Sequence, residues 1–272
     1  MIHNTSTTII CPCNDGESRL IIDIAEKLSF DVRISTQGWG AVLSQEPDET
    51  FAGLKKNVIV VEMPGIRKEN ELKDKGHNLF VIDHHKYQDM DRSYPVSSLE
   101  QFACLISYTL NRWEMGVALN DRGYIPALRK QGYAEDEILE IRQYDLEAQG
   151  YKPEYFEMLR RDYLKGNNRG QDVYVVETTC EKTSYLSDLH FFENEKRIHR
   201  IDLIVFTAGA EDTMQKITFY GSPARAKALQ EKFGGYSGGD EKVSMFWGMD
   251  ITNPMTKEAF LRVFDLLVDC TI

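Results

Sequence analysis

The sequence predicts an α/β fold: a parallel-sheet domain followed by a smaller α+β domain. Short strand-like runs alternate with helical periodicity through the first half. The residues with metal or acid–base chemistry fall at the ends of those runs. A glycine- and asparagine-rich break, "GNNRGQD" at 166–172, then separates them from a second group of strand-like runs. Strands separated by helices argue for a parallel sheet covered on both faces. Such sheets collect their ligands at the carboxyl ends of the strands.

The elements follow in order. "TTIICPC" is β-rich, and "SRLIIDIAEKL" carries apolar residues at helical spacing. "FDVRIST" reads as a strand. "NVIVVEMPG" is a nearly continuous apolar run stopped by Pro-Gly, the mark of a buried strand. "ENELKDKG" predicts a short polar helix ending at Gly76, and "NLFVIDHH" the next strand. "SSLEQFACLISYTLNRW" is a helix with a serine start signal. A loop containing "NDRG" follows, then a long helical region over 134–165. The first domain is thus expected over 1–165, a linker over 166–172, and the second domain over 173–272. In that domain "DVYVVETT", "IDLIVFTA" and "QKITFYG" predict strands. "SPARAKALQEKF" is a helix with Ser222 as cap and Pro223 in its first turn. No internal repeat or low-complexity tract interrupts the pattern.

Composition bounds the function. The chain has 272 residues, 42% hydrophobic and 28% charged, enough for a sizeable core. No apolar run approaches the roughly 18 residues of a membrane helix, and the N-terminal stretch shows no secretory pattern. Five cysteines, Cys11, Cys13, Cys104, Cys180 and Cys270, are odd in number and unevenly spaced. A reducing cytoplasm is therefore expected rather than a disulfide framework. A net charge of −11 disfavours long duplex nucleic acid as a partner. The basic clusters at 160–169 and 196–200 read as solvated faces or a local groove.

The strand ends carry the chemistry. After the first strand comes Cys11-Pro12-Cys13-Asn14-Asp15-Gly16-Glu17, after "VIVV" comes Glu62, and after "LFVI" come Asp83, His84 and His85. Asp121 sits in "NDRG". Hard oxygens, imidazole and one thiol suit Mn²⁺, Fe²⁺, Co²⁺ or Zn²⁺ better than Ca²⁺. The ligands are numerous enough for two ions, which lie roughly 3.5–4 Å apart when a carboxylate bridges them. Cys11 and Cys13 also read as small buried residues, or as a zinc or redox pair. The glycines of "GGYSGG" read equally as a helix cap and turn.

The spacing of these residues resembles the DHH phosphoesterase superfamily. That family's first motif, His-x-x-x-Asp-x-Asp, is matched in position by Cys11, Asp15 and Glu17. Its second, an aspartate ending a strand, is matched by Glu62. Its third is Asp83-His84-His85 itself, and its fourth, an aspartate in a "DTG"-like loop, is matched by Asp121. The resemblance implies one metal on Cys11, Asp15 and Glu62. It places a second on Glu17, Glu62, His84 and Asp121, with Mn²⁺ the first expectation. His85 would face the substrate phosphate, and Asp83 would orient the histidines. "FGGYSGGDEKVSMFWG" at 233–248 resembles the glycine motif of the DHH-associated C-terminal domain. Gly234, Gly235, Gly238 and Gly239 would then bind substrate, and Ser237 or Asp240 would stand where that motif has histidine.

Three ligand positions depart from the family pattern: cysteine for histidine at 11, and glutamate for aspartate at 17 and 62. A thiolate at 11 would favour Zn²⁺ or Fe²⁺ over Mn²⁺. What the resemblance implies is a metal-dependent phosphoesterase. Its substrate would be a small nucleotide phosphodiester or phosphomonoester: a short oligonucleotide, a cyclic dinucleotide or a bisphosphorylated nucleotide. The altered motifs also fit a nucleotide-binding or regulatory protein without turnover.

Overall fold

The computed structural model describes residues 2–87, 89–209, 214–240, 243–251 and 255–269. Its contacts divide the chain into two compact units, Met1–Gly150 and Tyr151–Ile272.

The first unit is built on strands β1 (Thr7–Cys11), β2 (Asp31–Ile34), β3 (Asn57–Val61) and β4 (Asn78–Ile82). All pair in parallel, in the order β2-β1-β3-β4. The central strands are the apolar ones: every residue of β1 and four of the five in β3 are buried. On one face Ile10, Val58 and Val60 pack with Leu43, Met63 and Leu72, the last from helix α2 (Ile66–Asp74). Helix α1 (Gly16–Lys27) contacts α3 (Ser98–Ile106), α4 (Arg112–Lys130) and α5 (Glu135–Ala148).

The strand order positions the site. From β1 the chain runs through α1 to β2 on one side, and from β3 it runs through α2 to β4 on the other. The two connections leave neighbouring strands in opposite directions, which opens a crevice at their carboxyl ends. Cys11 and Glu62 flank that crevice.

Two expectations are corrected here. "NDRG" is not a loop but part of α4. Asn111 and Glu114 form a reciprocal cap at the start of this helix, and Gly116, Val117, Ala118 and Leu119 are buried along it. That burial overrides the local turn preference of Asn-Asp-Arg-Gly. The helix does break two residues beyond Arg122, at Tyr124 (φ 55°, ψ −158°). The helical region over 134–165 is likewise two helices. Gly150 (φ 84°) ends the first, and Pro153 starts α6 (Pro153–Lys165).

The second unit begins before the expected linker, at Tyr151, because α6 belongs to it. Tyr163 of α6 is buried against Tyr174 and His190, its ring 5.0 Å and 6.0 Å from theirs. Part of the expected linker, Asn167–Arg169, is β5, paired antiparallel with β6 (Val173–Thr178). Its lack of apolar residues is that of an edge strand. The unit continues with α7 (Ser184–Glu195), β7 (Asp202–Ala208), β8 (Met214–Gly221), α8 (Pro223–Phe233), β9 (Tyr236–Asp240), β10 (Ser244–Asp250) and α9 (Lys257–Asp269). The sheet order is β5-β6-β7-β8-β10-β9, with only β6 and β7 parallel. Trp247 is fully buried in its core and stacks on Phe260 with 8° between the ring planes. Residues 241, 242 and Cys270 lie outside the described residues. None of the described helices is long and apolar enough to cross a membrane.

Candidate metal centre

Glu17 enters the crevice from the first turn of α1, which starts there because Asp15 caps it. Asp15 Oδ1 accepts from the Ser18 amide at 2.8 Å, and the Ser18 hydroxyl reaches back to the Asp15 amide at 3.2 Å. Glu17 is 1% exposed, and both its oxygens are fixed from behind. The amides of Leu99 and Ser98 donate to them at 2.9 Å and 3.2 Å, from the first turn of α3. Glu62 follows β3 directly. Its φ of 48° is unusual for a residue with a Cβ, and its amide donates to Ile82 O at 3.0 Å.

His84 lies between the acids. Its Nε2 is 2.7 Å from Asp121 Oδ2, 3.2 Å from Glu62 Oε1 and 3.7 Å from Glu17 Oε2. One ligand atom from each of Glu17, Glu62, His84 and Asp121 falls within 4.8 Å of all the others. His84 Nε2, Glu62 Oε1 and Asp121 Oδ2 are buried and have no hydrogen-bond partner. Such orphaned atoms are costly unless something else satisfies them. Three carboxylates and an imidazole fit a divalent first-row ion.

The electrostatics agree. Burial, then Asp121 and Glu62, push the Glu17 carboxyl well above the usual carboxylate range. Burial, then Glu62 and Asp15, do the same to Asp121. Burial also pulls Glu62 upward, but His84 and His85 outweigh it and hold that carboxyl low. Burial would lower His84, but Glu62 and Glu17 raise it. Crowded, buried carboxylates shifted in this way favour a cation that can share their charge.

His85 is half-exposed at the edge of the cluster, with Nδ1 3.2 Å from Asp83 Oδ1 and 3.8 Å from Glu62 Oε1. Asp83 is buried. It accepts from the His85 amide at 3.0 Å and from the Tyr87 hydroxyl at 3.0 Å. Tyr87 and Gln101, which donates to Asp83 O at 2.9 Å, were not singled out from the sequence. No local pattern there marks them.

The structure does not assemble the other expected ligand set. Asp15 is committed to its cap, and Cys11 Sγ lies 3.7 Å from Ser18 O. Burial, then Glu62 and Asp15, push the Cys11 thiol well up, which keeps it protonated. Among the described residues, neither joins a group of three close ligand atoms. The second-unit glycines have local explanations. Gly234 caps α8 at φ 71°, and a Cβ at Gly235 would collide with Gly248 O. Gly238 faces the Phe246 ring across the β9–β10 pair, and a Cβ at Gly239 would sit 2.7 Å from Ser244 O.

A cavity of about 360 Å³ opens beside His84, lined also by Tyr94, Pro95, Arg122, Lys130 and Gln131. It lies between the loop after β4 and the two limbs of the broken α4.

No protein-family profile matches the chain, and no curated protein matches it in sequence. Solved structures do. An exonuclease RecJ bound to manganese matches 97% of this chain and 89% of its own, at 11% identity and TM-score 0.44. PggH of Vibrio cholerae, a pGpG-specific phosphodiesterase, matches 97% and 99%, at 12% identity and TM-score 0.43. CDC45 of Entamoeba histolytica matches 97% and 95%, at 10% identity and TM-score 0.41.

Proposed function

We propose that the protein is a divalent-metal-dependent phosphoesterase acting on a small nucleotide phosphodiester or phosphomonoester. The observation that carries this reading is the convergence of buried ligand atoms from Glu17, Glu62, His84 and Asp121, three of those residues with an oxygen or nitrogen left without a partner. These residues would hold one ion. A second, on Cys11, Asp15 and Glu62, would require the Asp15 cap and the Cys11 thiol to be released. Mn²⁺ suits the carboxylate-rich first set, and Zn²⁺, Fe²⁺ or Co²⁺ would suit a set that includes the thiol.

When bound, the metal would supply Lewis-acid stabilisation of phosphoryl oxygens and a water of lowered pKa. The chain's own residues do the rest. Asp83 accepts from His85 Nδ1 and raises the ring's pKa, and in the imidazolium form this favours, Nε2 would donate to a phosphoryl oxygen as charge develops there. Arg122 and Lys130 give the neighbouring cavity cationic groups suited to the anionic remainder of a nucleotide. The glycines of β9 and its flanks are proposed as the second unit's contribution to substrate binding. A small substrate accords with the chain's net charge of −11.

The test is metal content of the purified protein, together with p-nitrophenol release from bis-p-nitrophenyl phosphate under Mn²⁺, Zn²⁺ or Fe²⁺. Metal uptake and turnover, both lost in His84→Ala, are expected. A second reading, a nucleotide-binding protein without turnover, is favoured by the engagement of Cys11 and Asp15 elsewhere. Zero or one metal with no turnover under any ion, together with a nucleotide bound to the protein, would support it.

A further inference from the structure

Glu17 and Asp121 reach the crevice from α1 and α4, and a single ion pair on α5 touches the residue before each. Arg142 and Asp145 are each 7% exposed. Asp145 Oδ1 accepts from the amide of Gly16 at 2.9 Å, between Asp15 and Glu17. The approach is so close that a Cβ at Gly16 would lie 3.0 Å from Asp145 Cα. Asp145 Oδ2 accepts from Arg142 Nη1 at 2.7 Å and from Gln149 Nε2 at 2.9 Å. The same Arg142 Nη1 donates at 3.0 Å to Oδ1 of Asn120, the buried residue before Asp121. The Arg142 guanidinium also lies 4.7 Å above the ring of Tyr124, where α4 leaves helical geometry.

A buried ion pair is a poor device for stability alone, because desolvation offsets most of its attraction. Three of its contacts here are better explained by what they hold. One fixes the turn that carries Glu17, another fixes the residue that carries Asp121 forward, and the third braces the helix break just beyond it. We infer that Arg142 and Asp145 are positioning residues that set the separation of Glu17 and Asp121 and thereby the affinity of the site for a divalent cation. This inference rests on the metal reading above. Neither residue supplies a ligand atom to the cluster, so each acts through others. Partners that orient metal ligands from behind are typically worth about 10–100-fold in metal affinity.

The experiment is calorimetric titration of the EDTA-stripped full chain with Mn²⁺, with melting curves recorded in EDTA. Wild type is compared with Arg142→Gln, Arg142→Lys and Asn120→Ala. In Arg142→Gln the Mn²⁺ dissociation constant should rise by about 10–100-fold. Arg142→Lys, which keeps the charge and a donor, should recover part of the loss. Asn120→Ala releases only the Asp121 side and should weaken binding by about tenfold, with a cooperative melt retained. Folded variants that bind Mn²⁺ within about twofold of wild type would overturn the inference while leaving the metal centre intact. Should Arg142→Gln fail to fold, Asn120→Ala decides. A wild-type protein that takes up no Mn²⁺ overturns the metal reading itself, and this inference with it.

Discussion

His84 Nε2 and Asp121 Oδ2 stand 2.7 Å apart, both buried and neither in a hydrogen bond. A buried imidazole and carboxylate that close, each without a satisfied hydrogen bond, are placed as two ligands of one ion would be, as the proposed function requires. The prediction is a metal-dependent gain in thermal stability. An ion at about 100 times its dissociation constant adds about 2.7 kcal/mol to the native state. Differential scanning fluorimetry should therefore show Mn²⁺ or Zn²⁺ raising the wild-type melting temperature, and EDTA reversing it. In His84→Ala and Asp121→Asn the rise should vanish. An equal rise in the variants would mean that the ion binds elsewhere.

Under the proposed function, Asp83 would contribute to the reaction through His85. Its Oδ1 meets both the amide and Nδ1 of that residue. In Asp83→Asn the amide can still receive one of these bonds, but the imidazolium loses its charged partner. Turnover of bis-p-nitrophenyl phosphate should fall by about 10–100-fold in kcat, with metal content unchanged. Loss of metal together with turnover would instead make Asp83 part of the ion's support.

The fold and most of the centre were legible in the sequence because strand ends are fixed by local patterns. "NVIVVE" and "NLFVIDHH" place Glu62 and His84 at adjacent strand termini, and Asp15 with Ser18 starts the helix that presents Glu17. Asp121 was assigned a loop because Asn-Asp-Arg-Gly is turn chemistry, whereas its helix is set by a cap at Asn111 and by burial beyond it. The Cys11 and Asp15 pairing could not be tested by spacing. Whether a carboxylate ligates or caps depends on where the Ser18 amide points. The α5 residues that brace the site lie far away in sequence, and nothing local marks Arg142 or Asp145. The break after Gly150 was hidden because both flanking segments are helical.

In the second unit, Trp247 and Gly235 contribute to stability through their packing. The indole is fully buried against Phe233 and Phe260, and its Nε1 donates to Gly234 O at 2.7 Å. Trp247→Ala should cost about 3–5 kcal/mol. Gly235→Ala, at φ 84° and against Gly248 O, should cost about 1–3 kcal/mol. Urea titration of both variants checks this. Near-neutral outcomes would show that the β9–β10 pair is not part of the cooperative core.

His190 predicts a loss of stability in mild acid. It is 4% exposed, accepts from the Tyr163 hydroxyl at Nδ1 (2.9 Å) and donates from Nε2 to Ile201 O (2.9 Å). Both nitrogens are used by the neutral ring, and burial lowers its pKa from the ordinary 6.5 to about 4. Between those values the unfolded chain binds a proton that the native chain refuses, so stability falls as pH falls from 6.5 toward 4. The loss levels off below that window, at roughly 3 kcal/mol from this residue. Chemical denaturation across the window should show a shallower decline in His190→Gln than in wild type.

Glu62 sets ligand placement against backbone preference. At φ 48° it occupies the left-handed region, which costs a residue with a Cβ about 1–2 kcal/mol. It also brings a carboxylate beside those of Glu17 and Asp121, whose pKa values its charge raises. Glu62→Gly removes both penalties, but it adds the backbone entropy of glycine, about 0.5–1 kcal/mol, and takes from His84 and His85 the carboxylate that they hold charged. These effects oppose one another, so the metal-free variant should lie within about 1 kcal/mol of metal-free wild type, yet bind no ion. Melting in EDTA and metal analysis of the same sample test both halves. A variant much less stable without metal would show that Glu62 is held by packing and by the two histidines rather than for its ligand.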